Sequence, residues 1–127
     1  MRRGNLMELQ ILDLELTVCK IKDLEQVDFS REFVFLAKTD EEISLVAETA
    51  YIPANTVVAE EGWRAFRITG IIDFATVGVI AKISGLLAAA SLGIFVISTY
   101  NTDYVLLKTE DFAPGVQVLL ANGYTVR

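Results

Sequence analysis

Hydrophobic residues along this chain repeat with two different periods, and the changes of period mark its elements. From Leu14 to Ile21 the pattern alternates, with Leu14, Leu16 and Val18 on one side and Glu15 and Thr17 on the other. That alternation predicts a half-buried strand. Lys22 to Glu32 is polar, and Leu24 and Val27 are spaced for at most a turn or two of helix. Phe33-Val34-Phe35-Leu36-Ala37 is apolar at every position, as expected of a strand central in its sheet. Thr39-Asp40-Glu41-Glu42 has two local readings. As a capping box, Thr39 with Glu42, it opens a helix through Ile43 to Ala50. As a turn, it leads into a strand over Ile43 to Ala47.

Tyr51 to Glu61, with Pro53, Asn55 and Thr56-Val57-Val58, reads as an irregular crossing segment, and Glu60-Glu61-Gly62 as a separator between two halves. Trp63 to Ile68 is a strand, apolar at Trp63, Ala65, Phe66 and Ile68 around Arg64 and Arg67. A loop at Thr69 to Thr76 follows, and from about Thr76 to Ser91 the spacing becomes helical. Val79, Ile80, Ile83, Leu86, Leu87 and Ala90 form its apolar stripe, and Gly78, Ala81, Gly85 and Ala88 or Ala89 a second stripe of small residues. Gly93 is placed to end that helix in a left-handed cap. Gly93 to Lys108 then reads as two strands joined by a short polar turn that Asn101-Thr102-Asp103 supplies. Pro114 falls near the first turn of a second helix, where its missing N–H costs nothing. Val116, Leu119 and Leu120 face that helix inward, Asn122-Gly123 stops it, and Tyr124-Thr125-Val126 is a last short strand. Residues 63 to 126 thus run β-α-β-β-α-β, the order of a split βαβ fold.

The polar turn is richer than a hairpin requires. Ser98, Thr99, Asn101, Thr102 and Asp103 cluster where two apolar strands meet, although one or two turn formers suffice. A weak counterpart lies upstream. A shift of 61 residues lays Phe33–Ala47 on Ile94–Lys108, setting Ile43 on Tyr104, Leu45 on Leu106 and Glu42 on Asp103. The first strands align only near a shift of 50, Leu16 on Phe66. The difference of about 11 residues is about three helical turns. The first half therefore reads as the second with most of its first helix removed, and this favours the turn at Thr39.

Composition narrows the function classes. The chain has 127 residues, 53% of them hydrophobic, enough for one core or two small lobes. A net charge of −6 disfavours nucleic acid and anionic membrane surfaces. The charge is uneven: residues 1–62 hold six basic and thirteen acidic side chains, residues 63–127 five and four. There is no histidine, so no Ser-His-Asp or Cys-His machinery and no histidine metal site. The single cysteine, Cys19, makes no internal disulfide and fits a reducing cytoplasm. Val77 to Ile97 approaches the length of a bilayer span, but Lys82 and three glycines interrupt it. Met1-Arg2-Arg3-Gly4-Asn5 is followed by Glu8, unlike a signal peptide.

The run Ile72-Asp73-Phe74 with Gly78 and Ile80, followed by Gly93 to Leu106 with its Ser98-Thr99-Tyr100-Asn101-Thr102-Asp103-Tyr104 core, resembles the ACT-domain family. Its nearest likeness is the tandem-ACT branch, similar to the CASTOR arginine sensors and aspartate-kinase regulatory domains. Glu42-Ile43-Ser44-Leu45-Val46 and Glu61-Gly62-Trp63-Arg64-Ala65-Phe66 look like the same family's midsection. The resemblance implies an α+β fold of two ferredoxin-like ACT (βαββαβ) lobes, the first lacking most of its first helix. The division expected is a tail at 1–8, a degenerate lobe at 9–62 and a complete lobe at 63–127. It also implies no catalysis, no cofactor, a homodimer, and a small ligand, usually an amino acid, with a regulated protein as possible partner. Carried onto this chain, the family's site comprises Ile72, Asp73, Phe74, Ala75, Val77 and Gly78, then Ser98, Thr99, Tyr100, Asn101 and Asp103, faced by Ser44 and Leu45.

The chemistry of those residues suits an amino acid. Asp103 offers a charge-assisted bond to an ammonium or a basic side chain. The loop at Ile72 to Thr76 precedes a helix whose N-terminal N–H groups favour a carboxylate, and Thr99 and Asn101 fix orientation. Each residue also has a plain role: Asp103 in the turn, Asp73 as a helix cap, Gly78 in helix packing, Ser44 as an exposed strand residue. Two other functions compete. One is a ligand-free interaction module pairing through sheet edges and the small-residue stripe. The other is an enzyme using Asp73 and Asp103 as an acid–base pair, which no further motif supports.

Overall fold

In the computed structural model, which describes residues 8–69 and 78–127, two 14-residue strands, β1 (Glu8–Ile21) and β4 (Thr56–Thr69), carry the fold. Both pass through two compact units, one formed by Met1–Asp13 with Arg64–Arg127 and the other by Leu14–Trp63. Alternation revealed only Leu14 to Ile21 of β1 and Trp63 to Ile68 of β4. The rest of β4 hides because Val57 to Glu61 are exposed at every position, so no buried face imprints a period of two. Glu60-Glu61-Gly62 stands just before the division between the two units, which falls after Trp63, but it is strand and not an irregular linker. It lies inside β4, with Gly62 at φ 82°, a left-handed conformation that glycine takes without strain.

The Leu14–Trp63 unit adds β2 (Val34–Lys38), β3 (Ile43–Glu48) and a 3-10 turn at Thr49–Tyr51, in the sheet order β2-β3-β1-β4. Strand β3 pairs antiparallel with both β1 and β2. The turn reading of Thr39 is the observed one. Its N–H donates to the Glu42 carbonyl at 2.9 Å, and its Oγ1 accepts from the N–H groups of Glu41 and Glu42. Strand β2, apolar on both faces, is not central but ends the strand order. Cys19, Ile21, Leu45 and Ala47 form this unit's core, with Val27, Val34, Leu36, Ile43 and Ile52 packed against them. Buried Thr17 shares a 2.8 Å hydrogen bond with the Thr49 hydroxyl, which satisfies a polar group that would otherwise be costly there. Between β1 and β2 there are turns and no helix.

The other unit contains α1 (Val79–Ala89), β5 (Phe95–Ser98), β6 (Asp103–Lys108), α2 (Thr109–Ala121) and β7 (Thr125–Val126). Its sheet order is β7-β1-β4-β6-β5. The first part of β1 lies beside β4, with Arg67 Nε donating to Gln10 Oε1 at 3.0 Å and Thr69 Oγ1 donating to the Glu8 carbonyl at 3.1 Å. Strand β7 pairs parallel with Glu8 and Leu9, and Arg127 forms an ion pair with Glu8 at 3.1 Å. Both helices pack on one sheet face, where Leu9, Phe66, Ile68, Ile83, Leu87, Val105, Leu107, Phe112, Leu119 and Tyr124 form the core. Burying a side chain of this size contributes about 1.5–3 kcal/mol.

Both helices end in the same motif. In α2, Gly123 at φ 93° takes the left-handed position, with Tyr124 N–H bonded to the Leu119 carbonyl. In α1 that position belongs to Ser91, at φ 63°, and not to Gly93: Leu92 N–H bonds Leu87 O at 3.0 Å and Ser91 N–H bonds Ala88 O at 2.9 Å. The left-handed cap falls two residues before the glycine because Leu92, the residue after it, packs against the core. Pro114 also sits deeper than expected. Helix α2 starts at Thr109, so Pro114 is its sixth residue and the helix gives up one internal hydrogen bond there. The adjacent Gly115 is buried, and a Cβ on it would lie 2.9 Å from Leu107 Cδ2. The small-residue stripe of α1 has no such neighbour: a Cβ on Gly78 or Gly85 meets nothing within 4 Å among the described residues.

The repeat is present in the two hairpins, displaced by one residue from the expected shift. Strands β2 and β3 pair Val34 with Ala47 through Lys38 with Ile43, and β5 and β6 pair Phe95 with Leu106 through Ser98 with Asp103. Superposing the turns sets Thr39 on Thr99, a shift of 60. In β3 and β6 alike, the third to fifth residues are buried and the others half-buried. The shift of 61 matched apolar letters, but it set Leu45, in the core of its unit, on Leu106, which stands on the face away from the helices. One residue of slip turns every side chain to the other face.

Candidate functional site

The end of the β5–β6 hairpin is where the candidate polar residues gather. Its four-residue turn, Thr99 to Thr102, is closed from within. Thr99 N–H donates to the Thr102 carbonyl at 2.8 Å, Thr99 Oγ1 donates to the same carbonyl at 2.8 Å, and Thr102 N–H donates to Thr99 Oγ1 at 3.3 Å. Thr102 Oγ1 in turn donates to the Ile68 carbonyl at 2.6 Å, tying the turn to β4. The hydroxyls of Thr99 and Thr102 thus hold backbone. Tyr100 is fully exposed at the tip, with Asn101 exposed beside it.

Ser98 and Asp103 differ from these. They are cross-strand partners, the last residue of β5 and the first of β6. By strand alternation Ser98 shares a face with Ile94 and Val96, and Asp103 with Val105 and Leu107. That is the face on which α1 and α2 pack. Asp103 is half-buried, and among the described residues its carboxylate has no hydrogen-bond or ion-pair partner. A partly desolvated carboxylate beside a hydroxyl, at the open end of an apolar layer, is suited to accept a cationic group.

Ile72, Asp73, Phe74, Ala75 and Val77 lie outside the described residues. Gly78 is the N-cap of α1 at φ 81°, a left-handed conformation that glycine takes without strain, and among the described residues no atom lies within 4 Å of where its Cβ would be. Ser44 and Leu45 belong to the Leu14–Trp63 unit and point to opposite faces of β3, with Leu45 buried in that unit's core. A chain of polar groups without any motif signal lies on the helix-free face of the sheet: Gln10 Oε1, the Arg67 guanidinium and Tyr104 Oη, the last at 3.3 Å from Arg67 Nη1. Only a strand alternation read through Arg67 points to it.

Other chemistry is sparse. Burial pushes the Cys19 thiol up, away from the reactive thiolate. Among the described residues no group of three or more His, Cys, Asp or Glu side chains is placed to hold a metal ion. A shallow cavity of about 250 Å³ in the Leu14–Trp63 unit is lined by Ser30, Arg31, Glu32 and Glu48, none of them a candidate. No helix among the described residues is long and apolar enough to cross a membrane.

A mainly antiparallel sheet with two helices on one face is the α+β arrangement of ferredoxin-like folds. The ACT domain family model matches residues 58–121, half of the chain, and the chain belongs to that family. A relative in Homo sapiens, the cytosolic arginine sensor for mTORC1 subunit 1, is 38% identical over 60 residues. That match spans 46% of this chain and 18% of the relative. A protein of Agrobacterium tumefaciens has the same fold, with a TM-score of 0.85, 25% identity and coverage of 96% of this chain and 92% of its own. The fold is also found in aspartate kinase from Clostridium acetobutylicum, with a TM-score of 0.69, 16% identity and coverage of 96% of this chain and 36% of the kinase. These relatives set the chain among ACT domains of the arginine-sensor and aspartate-kinase kind.

Proposed function

We propose that this chain is a non-catalytic regulatory protein that binds an amino acid or a similar small ligand at the end of the β5–β6 hairpin. The observation that carries the reading is Asp103, a half-buried carboxylate beside Ser98 with no partner among the described residues. In this reading Asp103 takes the ammonium group. The ligand carboxylate goes to the N–H groups at the start of α1, beside Gly78. Thr99 holds the turn, and Tyr100 and Asn101 flank the entrance. The regulator works as a homodimer in the cytoplasm and passes ligand occupancy to a protein partner. The name of the human relative supports the compartment and makes basic amino acids the first to try. A panel of amino acids at millimolar concentration is expected to raise the melting temperature, with Asp103→Asn removing the shift. No shift with any of them refutes the proposal.

A ligand-free interaction module is the second reading. Two observations favour it: β5 ends the strand order of its unit, and α1 leaves Ala81, Gly85, Ala88 and Ala89 exposed. A dimer that persists unchanged with Asp103→Asn, with no amino acid binding, selects this reading over the first.

A further inference from the structure

The two hairpins follow one plan, and they differ at the pair of residues nearest the proposed ligand. Each has a four-residue turn locked by its first threonine. Thr39 N–H donates to the Glu42 carbonyl at 2.9 Å as Thr99 N–H does to Thr102 at 2.8 Å. Thr39 Oγ1 accepts from Glu42 N–H at 3.2 Å as Thr99 Oγ1 does from Thr102 N–H at 3.3 Å. The cross-strand pair that closes each turn is Lys38 with Ile43 in one and Ser98 with Asp103 in the other. Each pair continues the strand face that carries its unit's core: Leu36 and Leu45 precede it in one, Val96 and Val105 in the other.

We propose that the chain takes one ammonium-bearing ligand, on the β5–β6 hairpin alone, and that these closing pairs decide it. This rests on the binding reading above. At a shift of 61 residues the counterpart of Asp103 is Glu42, an acid, and both hairpins keep an acceptor. The observed register replaces that acid by Ile43, which offers no acceptor, and sets the cation of Lys38 where the other hairpin has the Ser98 hydroxyl. An ammonium arriving at that pair meets the like charge of Lys38 and finds Ile43 where the other hairpin has a carboxylate, the acids Asp40 to Glu42 being exposed in the turn outside the pair. Specificity of this kind comes from a repulsive element as much as from an attractive one. The surrounding unit agrees: turns and a 3-10 segment stand where the other unit has α1 and α2, so there is no long helix N-terminus to receive a carboxylate.

Isothermal titration of the whole chain with each of the twenty standard amino acids tests this. For the amino acid that binds, one per chain is expected. Asp103→Asn should weaken it at least tenfold, with Asp103→Ser as the second variant if the first fails to fold. Ile43→Asn and Lys38→Ser should leave stoichiometry and affinity within twofold. Two ligands per chain, or a loss with Ile43→Asn or Lys38→Ser equal to that with Asp103→Asn, overturns the inference and leaves the binding reading standing. Absence of binding by all twenty overturns both.

Discussion

Gly115 is the point where the second helix meets the sheet most closely, and replacing it sets two known effects against each other. Alanine in a helix interior is favoured over glycine by about 1 kcal/mol. Against this, the new Cβ would stand 2.9 Å from Leu107 Cδ2, 3.5 Å from Leu87 Cδ2 and 3.6 Å from Leu92 Cδ1. The first distance is shorter than carbon atoms tolerate, so Leu107 must move. Leu107 is fully buried, as is Leu87, so it has no empty space to enter. Overpacking of this kind costs about 1–3 kcal/mol. The net expectation for Gly115→Ala is a loss of about 1 kcal/mol, measured by urea unfolding with linear extrapolation. The double variant decides the cause. Leu107→Ala alone should cost about 2–5 kcal/mol, but it removes the clashing methyl, so Gly115→Ala should then stabilise by about 1 kcal/mol. The coupling between the two changes is therefore expected near 2 kcal/mol. Additivity within about 0.5 kcal/mol refutes the reasoning, because residues that do not touch add.

Three further outcomes are expected. Ser91→Gly should stabilise the chain by about 0.5–1 kcal/mol, because serine is held at φ 63° in the cap of α1. Gly93→Ala, at the glycine the sequence singles out, should change stability by less than about 0.5 kcal/mol, since it has no positive φ and, among the described residues, no neighbour within 4 Å of a new Cβ. Thermal unfolding would report both. Burial pushes the Tyr124 phenol up, so the folded state favours its neutral form. Its contribution is complete below the ordinary tyrosine range near pH 10 and is lost as pH rises through the higher folded value. The melting temperature should fall more steeply above pH 10 in the natural chain than in Tyr124→Phe.

Sequence pattern alone determined the order of elements, the two helices and the stop at Gly123, because each rests on local periodicity or turn chemistry, and the internal repeat favoured the turn at Thr39, where local chemistry left two readings. It also located the polar hairpin end and the family, since Ser98 to Tyr104 is a contiguous run. It did not reveal the full length of β1 and β4, because the exposed residues Val57 to Glu61 are held by strand pairing that leaves no hydrophobic trace. The cap of α1 went to Ser91, against its local preference, because the burial of Leu87 and Leu92 fixes where the helix must stop. Most consequential is the register. Apolar letters on both faces of β2 and β5 align almost equally well at shifts of 60 and 61, and only the pairing across each hairpin separates them. That single residue decides whether the counterpart of Asp103 is an acid or Ile43. Side chains alternate faces along a strand, so which residue corresponds to Asp103 turned on tertiary pairing that composition and spacing do not encode.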